Sequence, residues 1–331
     1  MTLLLPVTAA ERRAGPVLAA LALGGFAIGT TEFATMSLLP FFAPDLGVSE
    51  ANASQVISIY ALGVVIGAPL LAVLAARMDR RRLLVALMLL FAAGNALSAL
   101  APDFRSMLAF RFLAGLPHGA YFGVAALMAA SIVPPARRAQ SIARVMLGLT
   151  IATIIGVPFA NAIGQWLGWR WGFAIVTVCA LATAGLVAMF APSQPADEGA
   201  SPLTELGALA NRRVWLTLSI GAIGFGGMFA VYTYLASTLL EVTMAPPAAI
   251  PAMLAVFGLG MTIGTLLAGW GADRAPMLTV GAMLALAAVL LALFPLASHS
   301  LWTLAPVIFL IGLTGSIGVP LQARLMDVAG K

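Results

Sequence analysis

The chain has 331 residues, of which 62% are hydrophobic and 9% charged, with a mean hydropathy of +1.04. Soluble domains carry about 25% charged residues, so this composition excludes a water-soluble fold, whose surface so few charges could not cover. A net charge of +5 would point to nucleic acid in a soluble protein, but here the placement of the basic residues gives it another use, and the single cysteine, Cys179, excludes a disulfide framework or a cysteine-ligated metal site.

Read from the N-terminus, Arg12 and Arg13 precede an apolar run from about Val17 to Phe41. That run is too long for a cleavable signal and is expected to stay as span one. Runs of the length that crosses a bilayer as a helix follow at 53–75, 83–100, 106–131, 144–166 and 171–191. The stretch at 192–213 (Pro192, Gln194, Pro195, Asp197, Glu198, Gly199, Ser201, Pro202) is polar and rich in breakers, cannot span, and reads as a linker. Four more runs lie at 214–240, 248–270, 277–297 and 302–323. The expected fold is therefore an all-α membrane protein of ten spans: an N-terminal six-helix bundle (1–191), the linker (192–213) and a four-helix C-terminal bundle (214–331).

Basic residues orient the spans. With the N-terminus inside, Arg12, Arg13, Arg77, Arg80, Arg81, Arg82, Arg137, Arg138, Arg144, Arg212, Arg213, Arg274, Arg324 and Lys331 all fall on the inner side. The outer loops hold only Arg105 and Arg170, and Arg111 lies within span four. This is the bias that the positive-inside rule demands, so the N-terminus and the linker are expected in the cytoplasm.

The two halves echo each other at an offset of 197 residues. Gly63, Ile66, Gly67 and Arg77 match Gly260, Ile263, Gly264 and Arg274, and Gly24 and Gly29 match Gly221 and Gly226. Duplicated bundles related by an axis along the membrane normal are an architecture of secondary transporters, with substrate near mid-membrane. Two such halves would make twelve spans, so ten of the expected twelve are counted.

The motifs then resemble a known family. Gly24-Gly25-Phe26-Ala27-Ile28-Gly29-Thr30-Thr31-Glu32-Phe33, the loop Arg77-Met78-Asp79-Arg80-Arg81-Arg82, and its fuller form Gly269-Trp270-Gly271-Ala272-Asp273-Arg274 carry the likeness. So do Arg111-Phe112-Leu113-Ala114-Gly115 with His118-Gly119, and Gly148, Ala152, Gly156, Pro158 and Gly164 in span five. In this order they resemble the major facilitator superfamily, within it the drug:proton antiporter group and its branch close to arabinose-efflux permeases. The resemblance implies two pseudo-symmetric helical bundles and export by alternating access of a small solute, sugar or drug, against protons. It implies a monomer in the inner membrane, with no cofactor and no nucleic-acid partner. It also makes Asp79, Arg80, Arg81, Arg82, Asp273 and Arg274 gating-loop residues, and Gly148, Gly156, Pro158 and Gly164 an antiporter-motif helix. Two departures stand out: Ala76 occupies a position that is acidic in the family, with Asp79 as a substitute three residues on, and Val157 splits the family's Gly-Pro pair.

Glu32 alone among the twelve acidic residues lies well inside an apolar run. A carboxylate there costs a few kcal/mol and must face a cavity or a partner. At ~1.5 Å per residue, Glu32 falls roughly 12 Å and Arg111 roughly 8 Å below the outer boundary, and His118 sits two turns from Arg111 on the same face. Glu32 is the expected proton carrier, Arg111 its modulator and His118 a relay. The alternatives are a static Glu32–Arg111 clamp and a packing histidine. The loop arginines serve as an inner gate or only as topology determinants. Thr31, Met36, Met228, Tyr232 and Tyr234 either line the substrate cavity or simply pack. A polytopic enzyme is a poor rival, because two histidines and one intramembrane acid leave little to build a reaction centre with. A non-transporting remnant is the other alternative, motivated by the ten-span count.

Overall fold

The computed structural model describes residues 9–74, 77–195 and 211–329; the linker residues Asp197, Glu198, Gly199, Ser201 and Pro202, together with Ala76 and Lys331, lie outside the described residues. Among the described residues no strand occurs. Among these same residues ten helices are long and apolar enough to cross a membrane: Ala14–Ser37, Glu50–Leu71, Arg80–Ala99, Phe104–Ser131, Gln140–Leu167, Arg170–Phe190, Arg212–Thr233, Ala249–Ala272, Pro276–Ala297 and Leu301–Gln322. They are spans one to ten. Short polar side chains start several of them. Asp103 and Ser106 form a reciprocal capping box on span four, Asp79 caps span three, Asn211 span seven and Ser300 span ten.

Two spans are shorter than their apolar runs. Span one stops at Ser37, and a second helix, Leu39–Asp45, restarts with Pro40 in its first turn. Proline has no N–H to continue the ladder and suits the first turn of a new helix. Span seven, expected over 214–240, breaks at Tyr234 between Arg212–Thr233 and Leu235–Glu241. The backbone at the two breaks is alike, with φ −92° and ψ −1° at Leu38 and φ −104° and ψ 12° at Tyr234.

The duplication read from glycine spacing is physical. A methyl group at Gly63 would overlap the Phe112 carbonyl, at Gly67 that of Leu116, and at Gly115 that of Tyr60. In the other half Gly260 meets Phe309, Gly264 meets Leu313 and Gly312 meets Phe257, again at carbonyl oxygens. Every one of these six pairs has both members displaced by 197. Spans two and four therefore touch as spans eight and ten do, through glycines that let backbones approach.

Span five departs from a plain helix. The helix Arg138–Ile151 opens into a π-helical turn at Ala152–Gly156 before the helix Val157–Leu167, which carries Pro158 in its first turn. Pro158 cannot donate to the preceding turn, and widening the ladder there is how a helix absorbs the missing bond. The Gly-Pro pair split by Val157 thus yields a π-turn followed by a proline start.

The described residues fall into two compact units, the first drawn from 1–32, 55–152 and 170–200, the second from 33–54, 153–169 and 201–331. This division passes through spans one and five instead of following the 192–213 linker alone. Bonds within the second unit explain its membership. Asn161 donates to the Ser37 carbonyl at 2.9 Å, Trp169 Nε1 to Asp45 at 2.9 Å, and Gly258 lies against the Thr153 carbonyl. Ser237 also donates to the Glu50 carboxylate.

Candidate functional site

Within the first unit, four spans deliver polar groups to one buried point. Arg111 of span four is 1% exposed. Its Nη1 donates to the Thr31 hydroxyl of span one at 3.1 Å, and that hydroxyl donates to Asn95 Oδ1 of span three at 2.7 Å. Asn95 Nδ2 is spent on the Phe91 carbonyl at 2.9 Å, which fixes the amide with its oxygen toward Thr31. The guanidinium lies 4.2 Å from the centroid of the Tyr60 ring of span two and 5.4 Å from that of Phe173 of span six. Planar, weakly hydrated guanidinium suits such stacking. The Tyr60 hydroxyl in turn meets His118 Nδ1 at 2.9 Å.

Small residues place each member. Gly115, one turn beyond Arg111, admits the Tyr60 backbone, so that the Tyr60 ring lies under the guanidinium and its hydroxyl reaches His118. Gly94 packs on the Ala114 backbone and brings Asn95 beside the same turn. Gly24 makes room for Tyr121, whose hydroxyl donates to the Leu21 carbonyl at 2.7 Å and ties span four to span one. The glycine seams are therefore the local reason this cluster exists.

Glu32 is partly exposed and lies within electrostatic reach of both Arg111 and Tyr60. Arg111 gives its Nη1 to Thr31, the neighbour of Glu32. Arg111 Nε has no hydrogen-bond partner among the described residues. His118 shares Arg111's side of span four, as the seven-residue spacing implied, since both touch Tyr60.

The remaining residues singled out by sequence divide into packing and latching. Met36, Met228 and Tyr232 are buried at 2%, 4% and 1% exposure, while Tyr234 is exposed. Tyr232 lies 4.4 Å from Phe257 and edge-on to Phe33 at 5.3 Å between ring centroids, and Met228 covers Gly315. Asp79 accepts from the Arg82 amide at 3.1 Å and from Ser193 at 2.7 Å. The Arg80 amide donates to the Gln194 carbonyl at 3.0 Å, Gln194 reaches Ser131 at 2.6 Å, and Arg81 donates to the Ala188 carbonyl. Loop 2–3 is thus tied to the ends of spans four and six, with the Arg82 side chain exposed. Arg274 bonds only its own turn, to the Trp270 carbonyl at 3.0 Å with its guanidinium over the Trp270 ring, and Asp273 is exposed. In span five, Gly148 abuts the Ala22 carbonyl, Gly164 abuts Leu38, and Gly156 closes the π-turn.

Tyr60 and Asn95 were not singled out by sequence. Asn95 had a readable signal, a lone amide in the apolar run of span three. Tyr60 had none, since tyrosines commonly flank membrane helices.

Comparison with known proteins identifies the family. The chain is 40% identical over 322 residues to the inner membrane transport protein YdhP of Escherichia coli (strain K12), covering 95% of this chain and 81% of that one. It is 36% identical over 260 residues to a chloramphenicol resistance protein of Streptomyces lividans, covering 77% and 66%. Its fold resembles the crystal structure of a bacterial homolog of the human lysosomal transporter Spinster, with a TM-score of 0.71 at 20% identity over 95% of this chain and 75% of that one. Ten membrane helices, a duplicated glycine seam and a sequence match over residues 21–331 lead to one assignment: the chain belongs to the Major Facilitator Superfamily, as a multi-pass membrane transporter.

Proposed function

We propose that this protein exports a small organic solute, a drug or a sugar, in exchange for protons, with Glu32 carrying the proton and Arg111 governing how firmly it is held. The observation that carries the reading is an asymmetry between the repeats. At the offset of 197, Thr31, Glu32, Tyr60, Asn95, Arg111 and His118 correspond to Met228, Phe229, Phe257, Ala292, Ile308 and Gly315. Phe257 and Ile308 are buried at 1% and 0% exposure on the same glycine-seam scaffold. The scaffold therefore packs with apolar residues where the first half has Tyr60 and Arg111, and the glycine seam itself has no need of those two polar groups. Buried polar networks are costly, and one that the seam does not require is best explained by function.

The cycle follows from the bonds. The unpartnered Nε leaves Arg111 a donor for an ionised Glu32, while Nη1 remains on Thr31. Protonation of Glu32 releases that attraction, so the loaded and unloaded states differ in how spans one and four are tied. Such a differential contact is what couples a ligand to a conformational equilibrium. The protein works as a monomer in the inner membrane with its N-terminus in the cytoplasm. The name of the Streptomyces lividans relative supports a drug among the solutes, and the arabinose-efflux likeness of span one supports a sugar.

The reading is tested by expressing the chain in a host lacking its own exporters and measuring accumulation of a drug and sugar panel. At least one solute is expected to be excluded, and a protonophore is expected to abolish the exclusion. Exclusion insensitive to the protonophore contradicts the proton coupling.

A further inference from the structure

The second unit holds an aromatic cluster drawn from spans one, seven and eight. Span seven carries Phe225, Phe229 and Tyr232 at spacings of four and three, which places them on one face of the helix. Phe229 lies nearly parallel to Phe33 of span one, with ring centroids 6.0 Å apart and planes within 11°, and Phe225 follows it at 6.2 Å. Tyr232 meets Phe33 edge-on at 5.3 Å and lies 4.4 Å from Phe257 of span eight. Phe33, Tyr232 and Phe257 are buried, whereas Phe225 and Phe229 are partly exposed, so three rings back a ledge formed by the other two. Gly318 makes room for the Phe225 ring, since a Cβ there would stand 3.2 Å from it.

At the offset of 197, Phe229 is the repeat partner of Glu32, and Phe257 that of Tyr60. The face of span one that carries Glu32 thus corresponds to the face of span seven that carries the rings, and duplicated transporters bind solute at the repeat interface near mid-membrane. The chemistry around the ledge is uncharged. Across 214–240, 249–272, 276–297 and 301–321 the sequence has no acidic, basic, carboxamide or histidine side chain. Hydroxyls there are spent on the backbone: Thr217, Thr262 and Thr314 donate to carbonyls of their own helices at 2.9, 2.9 and 2.8 Å, and Ser316 to the Met261 carbonyl at 2.9 Å. Asn161, in the part of span five that belongs to this unit, gives its Nδ2 to Ser37 and its oxygen to Gln165. A sugar needs such groups for itself, because a hydroxyl desolvated without a partner is costly, whereas an aromatic solute needs a flat apolar face.

We propose that Phe225 and Phe229 form the ledge that selects the solute, and that this solute is an uncharged aromatic compound and not a sugar. The inference rests on the export reading above and names its solute class. The repeats then divide the work: the first half handles the proton through its buried cluster, and the second holds the solute by its rings. Aromatic pairs gain from offset or edge-to-face geometry beyond the area they bury, so the ledge tells an aromatic ring from a saturated one of similar size.

The test is equilibrium dialysis of the purified full chain in neutral detergent, corrected for uptake by protein-free micelles, against 2-naphthol, its saturated analogue decahydro-2-naphthol, and arabinose. The wild type is expected to bind 2-naphthol about threefold or more tighter than the saturated alcohol, and to bind arabinose not measurably over the same range. Phe229→Leu stays apolar but removes the ring and should abolish the preference, while Phe229→Tyr should keep it. If Phe229→Leu does not fold, Phe225→Leu takes its place. Arabinose bound as tightly as 2-naphthol, or no preference over the saturated alcohol, overturns the aromatic class. A preference undiminished in the leucine variant overturns the ledge. Binding needs no proton gradient, so a chain that binds 2-naphthol but exports nothing sinks the export reading alone, and proton-driven export of sugars only sinks the aromatic class alone.

Discussion

Arg111 is held by side chains of spans one, two and six, which makes its replacements informative one atom at a time. Lysine keeps the charge but cannot both donate to Thr31 and lie flat on Tyr60. Arg111→Lys is therefore expected to fold with reduced yield and to transport at a small fraction of the wild-type rate in matched vesicles. Tyr60→Phe keeps the ring under the guanidinium and removes only the bond to His118. Its stability cost should be about 0.5–1.5 kcal/mol, while the pH dependence of transport moves; an unmoved profile would make His118 a packing residue. Glu32, Arg111 and His118 were legible in the sequence because polar side chains inside apolar runs are expensive, and depth follows from helical rise. Their partners were harder to read. Thr31 donates to an amide 64 positions away, and no local pattern announces such a pairing. Met36, Met228 and Tyr232 show the opposite limit. Their composition suits a cavity wall and a packed core equally, and only the structure reveals them buried.

At the scale of elements, glycines determine which helices touch. Gly67 faces the Leu116 backbone, which cannot move aside as a flexible side chain could. Gly67→Val should cost about 1–3 kcal/mol from overpacking, seen as a lower melting midpoint. Gly281→Ala, where a Cβ meets nothing within 4 Å, should leave the midpoint unchanged or slightly higher. The spacing of these glycines was readable, but their partners became evident only when both members of each pair proved to be displaced by 197. The breaks in spans one and seven divide differently. Pro40 announces the first, whereas nothing in the sequence around Tyr234 announces the second. The loop before span three adds a pH-dependent element. Desolvation pushes Asp79 upward, but bonds from the Ser193 hydroxyl and from the amides of Arg82, Gln194 and Arg81 outweigh it and hold the carboxyl below its ordinary value. A group depressed in the folded state stabilises above its unfolded value, and that contribution is lost as pH falls through the folded one. The stability difference between wild type and Asp79→Asn should therefore be constant near neutrality and shrink only below about pH 4, as read from unfolding midpoints across pH.

At the scale of the whole molecule, a duplicated scaffold carries its polar cluster in one copy only. Helix count and duplication were legible in the sequence, because bilayer length and glycine spacing are local signals. The division of the chain through spans one and five was not, since it depends on pairings such as Asn161 with Ser37 across 124 positions. Orientation can be checked directly, because Cys179 is the single cysteine. In a Cys179→Ser background, Trp302→Cys, at a side chain 91% exposed, should react with an impermeant maleimide on intact cells. Arg82→Cys should react only after permeabilisation, and the reverse pattern would invert the topology. The central claim concerns the proton, and Glu32→Gln tests it most directly, because glutamine keeps the shape and cannot cycle a proton. The decisive measurement compares wild type and Glu32→Gln at equal density in proteoliposomes, using a solute found in the export screen, for equilibrium exchange and for uphill transport driven by an imposed pH gradient. The account expects Glu32→Gln to retain exchange and to lose uphill transport. Undiminished uphill transport by Glu32→Gln would contradict it and leave Glu32 a structural residue of span one.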